Sequence, residues 1–221
     1  MKIILFGASG MIGQGVLREC LLDSDVDLVL SVGRAPLLQK HAKLREITTP
    51  DLGSLSAFES QLSGFDACFY SLGATAAGSS EENYRRINYE MPLAVASLLA
   101  KLNPGMTFIY ISGRGTDNTE KGRVMWARVK GATENAILRL PFKAAYTFRI
   151  GAVVPLHGIK SKTPLYNFFY AVGTPLMFLL RKLSPQNVQT TEEVGKAMLI
   201  AAKRGAPKSV LECADLYKLL H

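Results

Sequence analysis

The feature that most constrains this chain is a glycine-spaced turn at its start. Lys2 to Phe6 is a short apolar run, and Gly7-Ala8-Ser9-Gly10-Met11-Ile12-Gly13 follows at once. Val16, Leu17, Leu21 and Leu22 then recur at helical spacing. A strand, a glycine turn and a helix in that order make a phosphate-binding unit. Gly7 permits the tight turn, Gly10 removes the Cβ where a pyrophosphate approaches the backbone, and Gly13 lets the helix pack close to the strand. The free N–H groups and positive dipole of the helix start face the anion. The spacing is G-x-x-G-x-x-G, not the commoner G-x-G-x-x-G. This reading places a dinucleotide on Gly7, Ala8, Ser9, Gly10, Met11, Ile12 and Gly13. The alternative is an ordinary βα turn that binds nothing.

The rest of the chain alternates strands and helices. Strands are predicted at Asp27–Val32, Leu44–Ile47, Phe65–Tyr70, Met106–Ile111 and Ala144–Ile150, with helices at Ser54–Leu62, Glu81–Lys101 and Gly122–Leu140. That alternation predicts an α/β fold with a doubly wound, Rossmann-like parallel sheet. Past Gly151 the pattern changes. Val153 to Lys162 reads as loop, Thr191 to Arg204 as a helix with a capping box, and Ser209 to Glu212 as a last strand. Residues 152–221 are therefore expected to form a small helical cap on the substrate side of a single domain, 1–221.

A chain of 221 residues suits one such domain. Cys20, Cys68 and Cys213 are far apart and form no C-x-x-C pair, so they read as small buried hydrophobes in a reducing compartment. The first apolar run is too short for a signal peptide. Both points predict a cytoplasmic protein. The formal charge of +8 is concentrated: between Glu134 and Glu192 there is no acid, but Arg139, Lys143, Arg149, Lys160, Lys162, Arg181 and Lys182 are all present. A solvated, dispersed set of cations is one reading, and a surface meeting something anionic is the other. Nothing in the pattern calls for nucleic acid or a metal. Within the acid-free interval, Thr163 to Leu180 carries no charge at all. Residues 163–182 are expected to cover the substrate cleft or to enter a dimer interface; the rival is shallow insertion in a membrane surface.

Where an acidic residue would hold the ribose 2′-OH of NAD, the second strand ends in Val32-Gly33-Arg34. Arg34 can pair with a 2′-phosphate instead, which favours NADP(H) over NAD(H). Lys40, Lys43 and Arg45 lie nearby in sequence.

With these residues in place, the chain resembles the short-chain dehydrogenase/reductase superfamily, in its extended or atypical, NAD-dependent-epimerase-like branch. The resemblance implies an adenine contact at Asp51-Leu52 and a cofactor-lining turn at Ser71-Leu72-Gly73-Ala74. Asn88 is similar to the family's asparagine on its fourth helix, and Ser112, in Tyr110-Ile111-Ser112, to the serine that polarises a substrate carbonyl. Lys130 is similar to the lysine that holds the nicotinamide ribose and lowers a tyrosine's pKa. That tyrosine is missing. The family's Y-x-x-x-K is Trp126-Ala127-Arg128-Val129-Lys130 here, and Trp126 is the only tryptophan. An indole N–H donates a hydrogen bond but does not ionise usefully, so no phenol performs acid–base chemistry at this position. Arg149 and Gly151, at the end of the sixth strand, are expected to touch an anionic substrate or a cofactor phosphate; Arg149 pairing with an acid is the alternative.

Two functions follow as expectations. One is an NAD(P)(H)-binding oxidoreductase or epimerase-type enzyme acting on a small carbonyl or sugar, with Ser112, Lys130, Trp126 and Asn88 at the reaction centre. The other is a catalytically weak or silent protein that senses NADP(H) and passes its state to a partner.

Overall fold

The computed structural model describes residues 1–159, 181–182 and 184–221. The segment 163–180, read as a cleft cover, dimer element or membrane-surface element, therefore lies outside the described residues, as do Lys160 and Lys162. Among the described residues no helix is long and apolar enough to cross a membrane.

The chain runs β1 (Lys2–Phe6), α1 (Met11–Leu22), β2 (Leu28–Gly33), β3 (Leu44–Thr48), β4 (Ala67–Tyr70), α2 (Glu81–Arg85), α3 (Met91–Leu102), β5 (Thr107–Gly113), α4 (Met125–Leu138), β6 (Ala144–Ile150) and β7 (Ala152–Val154). After the undescribed segment come β8 (Val188–Thr190), α5 (Thr191–Arg204), β9 (Val210–Glu212) and α6 (Cys213–Leu220). Seven strands form one parallel sheet in the order β3-β2-β1-β4-β5-β6-β9, and β7 pairs with β8 beside it. The predicted doubly wound α/β sheet is borne out.

The strands are apolar on both faces because helices cover both. Ile3, Leu5, Phe69, Ile109 and Phe148 face α1 and α5, where Val16, Val194, Ala197 and Met198 pack. The alternate residues Ile4, Phe6, Cys68, Tyr70, Phe108 and Tyr110 face the other side, among Val95, Leu99 and Ile137 of α3 and α4. Ser112 continues the series Phe108, Tyr110, so the two-residue period aims it at the α3–α4 side.

Three expectations change. Ser54–Leu62 contains only a tight 3-10 turn at Ser56–Gln61, none of whose residues is buried. The long helix 81–101 is broken by a wider π turn at Arg86–Glu90 between α2 and α3. Pro92 explains part of that break: it has no N–H to give to the carbonyl four residues earlier, that of Asn88. The tail is also less separate than a cap. β9 joins the main sheet beside β6, α5 packs on a sheet face with α1, and Val153, read as loop, lies in β7.

The α1–α5 crossing depends on two glycines. A Cβ on Gly15 would stand 2.6 Å from the Thr191 carbonyl oxygen, and one on Gly195 2.7 Å from Glu19 Cγ. Gly15→Val is therefore expected to destabilise the protein by about 3 kcal/mol, in the range of overpacked cores. Urea unfolding at unchanged m-value reads this directly, and a wild-type midpoint would contradict the packing described.

Candidate functional site

A groove of about 550 Å³ opens at the C-terminal ends of β1, β2 and β4, where open α/β sheets hold their ligands. Its walls are the 7–11 turn, Ser31 to Ala35, Leu37, Leu52 and Ser71 to Gly73. Gly7 has φ +85°, which suits glycine, and a Cβ there would stand 2.7 Å from the Leu72 nitrogen. On Gly13 a Cβ would stand 1.9 Å from the Gly7 carbonyl oxygen, and neither Ile12 nor Gly13 is among the residues that line the groove. Gly10 differs. Its only near neighbour would be the Gly7 oxygen at 3.3 Å, and an added Cβ there would occupy the groove's own floor. No side chain caps α1 and no acid sits in its first turn. The helix start thus offers uncapped N–H groups to an anion. Arg34 is exposed on the rim and has no hydrogen-bonding or ionic partner among the described residues. A glycine floor, an uncapped helix start and an unpaired guanidinium fit a dinucleotide carrying phosphates.

Two of the neighbouring cations, Lys43 and Arg45, are held elsewhere. The Lys43 ammonium donates to the Asp23 carbonyl, and Arg45 to the carbonyls of Ala42 and Leu44. Leu52 lines the groove, whereas the Asp51 carboxylate accepts from the Gly53 N–H at 2.9 Å. Ser71 closes the β1–β4 join, its Oγ donating to the Phe6 carbonyl at 2.8 Å.

The other candidates gather beyond Gly73. Lys130 Nζ would lie 3.8 Å from a Cβ on Gly73. It donates to Tyr110 Oη at 2.9 Å and to the Ile111 carbonyl at 3.2 Å. Desolvation lowers the Lys130 pKa to about 8, against the pull of Glu134 one turn along α4. Ser112, 3% exposed, sits at the end of β5 with its Oγ 3.0 Å from Thr116 Oγ1. Thr116 gives its own proton to the Gly113 carbonyl at 2.7 Å, so Ser112 donates to Thr116 and must rotate before it can donate to a substrate oxygen. The Trp126 ring lies against the turn after β5, 3.5 Å and 3.6 Å from where Cβ atoms of Gly113 and Gly115 would be. Asn88 is buried, and its Oδ1 accepts from the Ala74 N–H at 3.3 Å. Lys130 and Asn88 thus stand beside Gly73 at one end of the groove, and Ser112 and Trp126 lie around the end of β5; none of the four is among the residues that line the groove. Thr116 and Tyr110 are functional neighbours that motif reading missed, although Tyr110 shares Ser112's face by simple alternation.

Arg149 and Gly151 do not join them. Arg149 Nε and Nη2 hold both oxygens of Glu134 at 2.7–3.2 Å, Nη1 holds Glu212 at 3.0 Å, and Nη2 also donates to Asn118. Its donors are consumed because Glu134 is fully buried and needs a counter-charge. Gly151 packs against Cys213, whose Sγ would be 3.2 Å from an added Cβ. His157 Nε2 is hydrogen-bonded to the Glu192 carboxylate at 2.7 Å. Arg181 from the acid-free interval is likewise spent, on both oxygens of Glu193 at 2.6 Å.

No family model matches the chain. It is 27% identical over 223 residues to "Protein fmp52-2, mitochondrial" of Aspergillus terreus, covering 97% of this chain and 95% of that one. It is 26% identical over 155 residues to "Protein HTATIP2" of Rattus norvegicus, covering 69% and 63% respectively. Among solved structures, the Bordetella bronchiseptica enzyme WbmF in complex with NAD+ superposes with a TM-score of 0.69 at 15% identity, over 98% of this chain and 76% of that one. A short chain dehydrogenase family protein of Francisella tularensis superposes with a TM-score of 0.62 at 16% identity, over 92% and 91%. The fold is thus one that carries NAD+ in WbmF. The expectation of a cytoplasmic location is overturned by relatives whose names place them in mitochondria.

Removing Arg149 alone would leave Glu134 charged and buried without its partner. Arg149→Met is expected to cost about 3–5 kcal/mol, and Arg149→Met combined with Glu134→Gln to recover most of it. Chemical denaturation of the single and double variants checks this; equal losses in both would contradict a structural ion pair.

Proposed function

We propose that this chain, a protein of the short-chain dehydrogenase/reductase type in the extended or atypical branch, is an NADP(H)-dependent oxidoreductase acting on a small carbonyl compound. The observation that carries the reading is Lys130. Its ammonium stands beside Gly73 at one end of the phosphate groove, on the side to which Ser112 is aimed. When bound, the nicotinamide supplies or accepts a hydride. The chain's residues do the rest. The 7–13 turn and Arg34 bind the adenosine phosphates, Lys130 holds the nicotinamide ribose, and the Ser112 hydroxyl, once turned from Thr116, polarises the substrate oxygen. Asn88 and Ala74 fix the turn between them. Trp126 has no proton to give at this pH range, so the proton for a reduced carbonyl comes from water admitted beside Ser112. The mitochondrial names of the fungal relatives support a mitochondrial setting.

A second reading is favoured by one specific observation, the indole at position 126. A protein that binds NADP(H), turns over weakly or not at all, and passes its redox state to a partner needs the groove and Lys130 but not a phenol.

NADPH is expected to bind roughly ten- to a hundred-fold more tightly than NADH, since a charge-assisted phosphate contact contributes about 1.5–3 kcal/mol. Arg34→Ala should erase most of the difference. Calorimetric titration with both cofactors tests it, and equal affinities in the unaltered protein would refute the NADP assignment. Because Trp126 is the single tryptophan, NADPH at saturation should also quench nearly all indole emission. Unchanged emission would place the nicotinamide elsewhere. Steady turnover of a carbonyl substrate, raised in Trp126→Tyr, separates the enzyme from the sensor.

A further inference from the structure

Lys130 has lost the residue that partners it in the Y-x-x-x-K pattern, yet its ammonium is not free. Tyr110 Oη accepts from Nζ at 2.9 Å, and the Ile111 carbonyl accepts a second donor at 3.2 Å. The ammonium also stands 4.6 Å from the centre of the Tyr110 ring. An ammonium has three donors, so one remains for a ligand. Tyr110 is fully buried, and burial pushes its phenol well above the usual range, so it stays protonated and acts as a neutral acceptor toward Lys130. Its own proton goes to the Asn88 carbonyl, at 3.4 Å. That carbonyl also takes the Thr133 hydroxyl at 2.7 Å. It is available to both because Pro92 has no N–H to offer it.

The contacts close a ring around the groove's end. Asn88 Oδ1 holds Ala74, the Asn88 carbonyl holds Tyr110, Tyr110 holds Lys130, and Lys130 stands beside Gly73. We propose that Tyr110 is the positioning residue for Lys130, fixing its ammonium at the nicotinamide end of the groove in place of the tyrosine that the Trp126 position lacks. The proposal rests on the nicotinamide-cofactor reading above. Tyr110 touches neither substrate nor cofactor and acts through Lys130 alone.

The charged and titratable groups facing this pair are few. Glu134 lies one turn along α4 and is neutralised by Arg149; Tyr84 of α2 and Tyr70 of β4 face Tyr110 from the remaining sides. Removing the phenol oxygen removes an acceptor of the charged ammonium and moves the Lys130 titration to lower pH.

The test compares two probes. NADPH carries the nicotinamide riboside; 2′,5′-ADP carries only the adenosine phosphates. Tyr110→Phe keeps the ring and deletes the hydroxyl. It is expected to weaken NADPH about ten-fold while leaving 2′,5′-ADP unchanged. In the unaltered protein NADPH affinity should fall as pH rises through about 8. In the variant the fall should begin at lower pH. If Tyr110→Phe does not fold, Lys130→Met must show the same selective loss of NADPH. Equal weakening of both probes, or no weakening, overturns the role given to Tyr110 while the cofactor reading stands. Failure of the unaltered protein to bind either probe overturns that reading and the proposal together.

Discussion

A missing side chain at Gly13 sets the geometry on which the groove depends. With no Cβ there, α1 lies against the Gly7 carbonyl, and its uncapped N–H groups are brought to the C-terminal edge of the sheet. An alanine at that position would force helix and strand apart and swing the helix dipole away from the phosphates. The positive φ at Gly7 and the open floor at Gly10 then have a defined direction to serve. Arg34, one strand over, lies exposed on the rim of the same groove.

At the other end of the groove the organising defect is in a helix. Pro92 deprives the Asn88 carbonyl of its helical donor, and a buried carbonyl without a partner is costly. Hydroxyls of Tyr110 and Thr133 satisfy it from β5 and α4. One break thus draws three elements together around Lys130. The indole of Trp126 lies on the outer side of this arrangement, over Gly113 and Gly115. The lysine's own hydrogen bonds run to Tyr110 and the Ile111 carbonyl and do not involve the indole.

Much of the fold was legible because its signals are local. Strands β1, β5 and β6 are apolar runs bounded by glycine, proline or polar turns, and both-face burial follows from the alternating helices. The glycine turn and Arg34 could be placed by spacing from strand ends, whereas Ser112 and Lys130 were implied by the resemblance to the short-chain dehydrogenase/reductase pattern. What was not legible depends on partners distant along the chain. Strands β7 and β8 have three residues each and exist only by pairing with one another. Arg149 sits at a strand end like a ligand-binding residue, but its partners Glu134 and Glu212 belong to α4 and β9. Ser54–Leu62 buries its apolar positions Leu55 and Leu62, with Phe58 packed beside them, but the chain between winds only as a 3-10 turn.

The glycine contact between α1 and α5 carries a consequence for the order of events during synthesis. The glycine turn and α1 leave the ribosome long before Thr191 and Gly195, which clasp α1 from far along the chain. Asp23 and Asp25, just past α1, are bound by Lys203 from the same late helix. The nucleotide cradle is thus encoded early and finished late, and the nascent chain must keep the apolar face of α1 sheltered until nearly all of it has been translated. Closing so long a loop makes assembly of the cradle a non-local, slow step. A motif translated before α5 becomes competent only after it.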